Sequence, residues 1–514
     1  MSQFNLGNKS DAITPSAGKT AFFISASGNI ATKDAAGDVR EYSPTPLESE
    51  SMVYGVRRDT TSEDPAWEPG ILVDGSFVAT DYQNFPIQEE MKRGLLTSAG
   101  AWTELHDRDS SKLPDGSAAT LDGSAGQTHV QVPRFYVVIT RIGDYAYVLN
   151  SLQPFTFNGV SAWVPKEFRD DAYRYISAFE CVAATDANDA AAQSIVKDTS
   201  GYSTNETPNP FTNRTRGQFR TQIADGVFYQ ASWGILEIII ILYLTRYKTW
   251  DSQSVLPGHT ECHGWSYGFA TPAGVTLGLG NYCGSIWSDE KISSVTVDGA
   301  DDVSLFTLGE TVTGATSGAT GVVVGIEGST GGILHLDSVE GSFSSGETIT
   351  GGSSGATATE SSTSSTDGRY IANSFYGIEN PFGNVWKFWD GININNPTGD
   401  PINVYVCHTP GDFADDTTIN YRDTGLSLDF EDDDDYIKDM HLEGQLAAFY
   451  PIEIGNGAGS GSYITDYHYN AAGGWRVLQS GGTLADGARA GLADLTAYST
   501  SGFSYSHIGA RAAA

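Results

Sequence analysis

Basic residues are scarce in this chain. Lysine and arginine number 29 against 63 aspartates and glutamates in 514 residues, and the net charge of −34 argues against a nucleic-acid or anionic-membrane partner. Only 18 % of residues are charged, so the imbalance is a shortage of cations more than an excess of acid. Cysteine is also sparse. Cys181, Cys262, Cys283 and Cys407 are too few and too scattered to staple a chain of this length, which predicts free buried thiols, with a Cys262–Cys283 pair as the alternative. A membrane-length apolar run is missing too: Ile235 to Leu244, the most apolar stretch, is too short for a span and carries Glu237, so it predicts a buried helix or strand. The amino end, Met1 to Leu6, leads into polar turns without the pattern of a cleavable signal.

Hydrophobic residues at 39 % and aromatics at 11 % supply enough apolar surface for a packed core in about two to four domains. Residues 1–50 open with alternating Ala21-Phe22-Phe23-Ile24-Ser25 and a Ser27-Gly28-Asn29 turn, a short β segment too small to bury much surface alone. Residues 51–288 read as globular. Within them Leu121 to Tyr136 is a glycine turn feeding an alternating strand, and Tyr145–Leu149 and Tyr173–Phe179 predict further strands.

Residues 289–367 differ in composition, being rich in Gly, Ser and Thr with regularly placed aliphatics. Phe306-Thr307-Leu308-Gly309-Glu310-Thr311-Val312-Thr313-Gly314 recurs as Phe343-Ser344-Ser345-Gly346-Glu347-Thr348-Ile349-Thr350-Gly351, and Ser317-Gly318-Ala319-Thr320 recurs as Ser354-Gly355-Ala356-Thr357, both at an offset of 37 residues. This duplication predicts a small all-β module whose two units pack on each other, projecting from a loop of the surrounding domain. Ser353 to Ser365 alone also fits a low-complexity linker.

Residues 368–514 contain the most distinctive segment, Tyr376-Gly377-Ile378-Glu379-Asn380-Pro381-Phe382-Gly383-Asn384-Val385-Trp386-Lys387-Phe388-Trp389-Asp390-Gly391. Asn384 can turn the backbone and satisfy buried backbone groups with its amide, while Trp386 and Trp389 lock the turn onto a core. With the ending Gly473-Gly474-Trp475-Arg476 and Ser506-His507-Ile508-Gly509-Ala510-Arg511, this segment resembles phage tail-fibre and adhesin proteins that carry a C-type-lectin fold of the formylglycine-generating-enzyme type. Leu121 to Tyr136 resembles the same family, and the opening segment is similar to phage attachment pieces.

The resemblance implies an α+β fold: a C-type-lectin-like domain in two parts, 51–288 and 368–514, interrupted by the β repeat module and preceded by an attachment segment. It further implies a virion protein of tail-fibre or spike type, a homotrimer that contacts other virion proteins through residues 1–50 and recognises a host surface receptor. The rival reading is a head or tail decoration protein with an assembly role alone; a polysaccharide hydrolase is the third.

No reaction can be assigned from the residues. The family's catalytic cysteines lie near the C-terminal part of the fold, and no cysteine follows Cys407 here. His259-Thr260-Glu261-Cys262-His263 has metal-ligating residue types, but Pro257-Gly258 and Gly264 favour a loop. Glu431 to Asp435 offers carboxylates for calcium without the alternation and glycine of a dedicated loop, so a solvated loop is expected. Gly351-Gly352-Ser353-Ser354-Gly355 matches the nucleophile-elbow string without a strand-to-helix context. The expectation is therefore a non-enzyme without cofactor or metal.

The receptor-binding face is expected at Tyr463, Asp466, Tyr467, His468 and Tyr469, with Tyr498, Phe503 and Tyr505. Tyrosine offers a large amphipathic contact area at low entropic cost, and the interleaved Asp and His can hydrogen-bond a sugar or protein. Strand alternation would turn about half of these inward, Tyr467 or Tyr469 among them, together with Trp475. Arg489 and Arg511 are expected as structural ion-pair or capping residues.

Overall fold

The computed structural model describes residues 52–183 except 63–65, then 191–196, 210–260, 270–288, 292–399 except 308, 328, 367 and 368, and finally 401–430, 434–455 and 464–514. Three further strands, Ala21–Ile24, Ile30–Lys33 and Val39–Tyr42, form an antiparallel meander.

The apolar run folds as a helix, Trp233–Tyr247. Ser232 caps it by accepting from the Ile235 amide, and Lys248 ends it in the left-handed conformation. Every residue from Trp233 to Thr245 is buried, because the helix is apolar all round and is covered on every side. Each Ile or Leu so buried contributes roughly 1.5–3 kcal/mol. Glu237 is the exception in that run: burial pushes its carboxyl well above the usual range.

Sheets surround this helix. A five-stranded antiparallel sheet includes Tyr54–Asp59, Tyr136–Ile142 and Tyr145–Ser151, and a six-stranded sheet is built on Lys92–Leu96, Gln127–Pro133 and Tyr173–Ser177. The strand Ala512–Ala513 pairs with Tyr173–Ser177 and with Tyr229–Gln230 inside that six-stranded sheet. A seven-stranded sheet joins Asp434–Met440, Tyr467–Asn470, Leu495–Ala497, Trp386–Phe388 and Ile508–Ala510, with two parallel pairings among its antiparallel ones.

The Gly-Asn-Val-Trp segment lies at the centre of the packing. Asn384 sits at φ +65°; its Oδ1 accepts from the Thr271 amide at 2.7 Å and its Nδ2 donates to Glu180. Glu180 also pairs with the fully buried Lys387 at 3.0 Å, and the Lys387 ammonium donates to the carbonyls of Gly383 and Val385. Burial brings the Lys387 pKa down to about 8. Arg511, equally buried, donates to the carbonyls of Ser177, Glu379 and Asn380, so it clamps two backbone segments as a capping residue.

The duplicated segment closes into a six-stranded barrel between Ile292 and Thr366. Each unit supplies three strands: Ile292–Val297, Thr311–Gly314 and Thr320–Glu327 from one, Ile333–Glu340, Thr348–Gly351 and Thr357–Thr366 from the other. Thr313 and Thr350, equivalent in the two units, face each other across the central antiparallel pair. The glutamates are exchanged between units. Glu347 accepts from the amides of Thr316 and Ser317 and from Ser317 Oγ, while Glu310 accepts from the amides and hydroxyls of Ser353 and Ser354. The Gly-x-Ser-x-Gly string is thus a turn held by Glu310, and Ser353 to Ser365 runs from that turn into a barrel strand. The chain enters the barrel from Gly284–Ser288 and leaves it into Arg369–Phe375, and these two strands pair antiparallel from Ser288↔Arg369 to Gly284↔Ser374.

The expected α+β class is overturned. The chain is 40 % strand and 12 % helix, spread over many sheets with a six-stranded barrel, and is not a clear C-type-lectin fold. Among the described residues only Arg216–Ile223 and Trp233–Tyr247 are helices of eight or more residues. The physical reason lies in the spacing of breakers: outside those two segments, apolar positions alternate and are punctuated by Gly and Asn at positive φ, which sustains strands and turns. The distinctive sixteen-residue motif fixes a local turn and does not set the balance of helix and strand around it.

Candidate functional site

Strand alternation sorts the expected residues into two faces. Along Tyr467–Asn470, His468 and Asn470 are buried while Tyr467 and Tyr469 are half-buried and face outward, the opposite phase from that expected for the tyrosines. His468 cannot meet a ligand: its Nδ1 lies 2.6 Å from the Leu495 carbonyl, its Nε2 meets the Asn470 amide, and burial brings its pKa down to about 4. Asp466 is also inside, 1 % exposed, and accepts from the Ala493 amide at 2.7 Å; burial pushes its carboxyl up to about 7. These two residues are removed from the expected face because their polar atoms are used to tie neighbouring segments together. Tyr463 lies outside the described residues. Trp475 is half-buried and packs on Tyr405 instead of entering the core.

The remaining five converge. Tyr467, Tyr469, Tyr498, Phe503 and Tyr505 line an open groove of about 470 Å³ together with Trp386, Asp434, Asp486, Arg489, Asp494 and His507. Four of these rings form one continuous row: Tyr469 stacks on Tyr498 at 5.4 Å, Tyr498 meets Phe503 edge-on at 6.1 Å, Phe503 stacks on Tyr505 at 5.9 Å, and Tyr505 lies 4.3 Å from His507. Tyr498 and Tyr505 are 52 % and 48 % exposed, so the row leaves aromatic surface open to solvent while ring contacts hold it in place. Packing of ring on ring fixes the side chains before any ligand arrives.

The polar lining was not foreseen. Asp434, the described start of the acidic run, accepts from the Tyr467 hydroxyl at 2.8 Å, and burial together with this carboxylate pushes the Tyr467 phenol up to about 12. Arg489, expected as a structural ion-pair or cap residue, is exposed and stands with its guanidinium 5.1 Å from the Tyr467 ring centre. Asp486 accepts from the amide and hydroxyl of Thr483, and burial raises its pKa. Asp494 lines the groove floor at 3 % exposure; burial and the carboxylates of Asp486 and Asp466 hold its carboxyl well above the usual range. Asp486 and Asp494 come from separate turns, and nothing in the linear pattern links them to the tyrosines.

The other chemical candidates disperse. His259 is buried, with Nδ1 3.0 Å from Thr271 Oγ1, whereas Glu261, Cys262 and His263 lie outside the described residues, as do Glu431 to Asp433. Cys181, Cys283 and Cys407 are free thiols. Among the described residues, no group of three His, Cys, Asp or Glu is arranged to hold a metal, and no helix is long and apolar enough to cross a membrane. No protein-family model matches the chain, and no curated protein matches it.

Proposed function

We propose that the chain is an adhesin that recognises a cell-surface receptor, glycan or protein, through the aromatic groove, as a subunit of a virion appendage. The observation that carries the recognition role is the row Tyr469–Tyr498–Phe503–Tyr505–His507 along an open groove. Exposed rings held by their neighbours offer apolar surface for sugar rings or side chains, and the phenols of Tyr498 and Tyr505 add polar groups beside it. Such a surface stacks and releases its ligand without rearrangement, and a shallow groove gains strength from many copies acting together. The virion setting, the homotrimer and the attachment role of residues 1–50 rest on the sequence resemblance to phage fibre proteins.

The test is binding of the full chain to an array of surface glycans and to intact cells of candidate hosts, with Tyr498→Ala and Tyr505→Ala as comparators. Binding that falls at least tenfold in either variant supports the reading. Equal binding by all three proteins, or antibody fragments that label the groove on particles without reducing adsorption, would transfer the chain to a decoration role.

A further inference from the structure

The groove pairs its aromatic wall with an acidic floor. Three carboxyl groups, Asp434, Asp486 and Asp494, line it against a single guanidinium, Arg489. Two of them are engaged: Asp434 with the Tyr467 hydroxyl and Asp486 with Thr483. Asp494 differs. It is more than nine-tenths buried, it borders the groove, and its carboxylate accepts no hydrogen bond among the described residues. A buried acid left without a donor keeps its proton, and a ligand that brings donors and positive charge favours its ionisation.

The two cations nearest Asp494 do not fill that role. The Lys387 ammonium is committed to Glu180 and to the carbonyls of Gly383 and Val385, and Arg489 lies against the Tyr467 ring. The position of Arg489 also shows that this aromatic wall accommodates a cation over a ring face. Close packing keeps the acid in place: Gly482 has φ +68°, and a Cβ there would lie 2.8 Å from Asp494 Oδ2. The net charge of −34 acts in the same direction, attracting cationic ligands and repelling acidic ones over the approach to the groove.

We infer that the groove selects a ligand bearing a primary ammonium group, which donates to Asp494 while the rest of the ligand stacks on the Tyr498–Phe503–Tyr505 row; in a surface glycan this is an amino sugar with an unsubstituted nitrogen. The inference rests on the recognition role proposed above and adds its chemical class. A primary ammonium brings both the charge and the donors that the floor lacks. An N-acetylated sugar keeps one amide N–H donor but brings no charge.

The experiment titrates the full chain with three probes: a glucosamine oligomer, its fully N-acetylated counterpart, and tetramethylammonium, following tyrosine and tryptophan fluorescence or calorimetric heat. Wild type is compared with Asp494→Asn, which keeps size and shape, and with Tyr498→Ala. The expected result is a preference of at least tenfold for the free-amine oligomer, reduced to within twofold by Asp494→Asn, with both oligomers weakened by Tyr498→Ala. Equal affinity of wild type for the two oligomers, both lost in Tyr498→Ala, would overturn the ammonium inference and leave the aromatic recognition role standing. A preference for the amine that survives in Asp494→Asn would overturn the assignment to this acid. Binding of tetramethylammonium as tight as that of the amine oligomer would replace the hydrogen-bonded ammonium by cation–π capture alone. Absence of binding to either oligomer would overturn the ammonium inference, and the array and cell assays then decide the recognition role separately.

Discussion

Replacing Glu347 by Gln should unfasten the barrel while leaving the rest of the chain intact. The Glu347 carboxylate accepts from the amides of Thr316, Ser317 and Ser344 at 2.6–2.9 Å and from Ser317 Oγ at 2.7 Å, and despite burial these hydrogen bonds lower its pKa to about 2. Hydrogen bonds to an ionised group contribute roughly 1.5–3 kcal/mol each, but four on one side chain act as a unit at the barrel rim, where water can replace part of them. An ordinary glutamate titrates near 4.5, so the shift corresponds to about 3 kcal/mol by linkage, and about 2 kcal/mol after solvent screening. The sign follows from the lowered folded-state pKa: the contribution is complete above pH 4.5 and is lost as pH falls through about 2. Hydrogen exchange of the full chain at pH 7 should show protection of the Gly314 and Ala315 amides, which bond to Ala319 and Thr348, dropping by roughly 30-fold in Glu347→Gln. The acid sensitivity of the same amides should flatten. A drop below about threefold, or one spread evenly over the whole chain, would refute the idea that the exchanged glutamates bind the two units together.

Lys387→Met should cost about 3–5 kcal/mol in urea unfolding because Glu180 loses its buried counter-charge, and Lys387→Met with Glu180→Gln should regain part of it; an additive double mutant would speak against the pairing. Asp466, raised to about 7, stabilises the fold below the ordinary aspartate range and loses that contribution as pH rises through 7, so Asp466→Asn should flatten stability between about pH 4 and 7. His468, depressed to about 4, behaves oppositely: its contribution is present above about pH 6.5 and is lost as pH falls through 4, and His468→Asn should reduce acid unfolding there, as read from urea midpoints across pH. Gly491→Ala should destabilise by about 2 kcal/mol or more, since its Cβ would fall 2.1 Å from Asp466 Oδ1, whereas Gly502→Ala, with nothing within 4 Å, should leave the melting temperature nearly unchanged.

Local signals were readable wherever one short segment carried the whole cause. Asn384 does supply the amide that its glycine-flanked position called for, and the repeated Phe-x-x-Gly-Glu unit announced a self-packing β module. The apolar run was ambiguous because unbroken Ile and Leu have no period; Ser232, placed to cap the Ile235 amide, was the signal that decides for a helix. In Tyr467–Asn470 the alternation was legible but its phase was not, because the phase depends on which neighbours offer His468 and Asn470 their partners. The acidic floor could not be read at all. Asp434 meets the tyrosines through strand pairing, and Asp486 and Asp494 reach them from turns, all brought together only by the fold. The expectation of an α+β lectin failed for a related reason: a motif that specifies one turn says little about the many strands packed around it.

Because Ser288 and Arg369 are paired neighbours at the foot of the barrel, the chain leaves and re-enters its host sheet at nearly one point. A cut there followed by a two-residue turn would leave a plain hairpin, so the host core would be asked to close only a minimal gap. The barrel is therefore an exchangeable cassette. Its exposed turns can diversify, or be swapped for another domain with adjoining ends, without the aromatic groove having to be rebuilt.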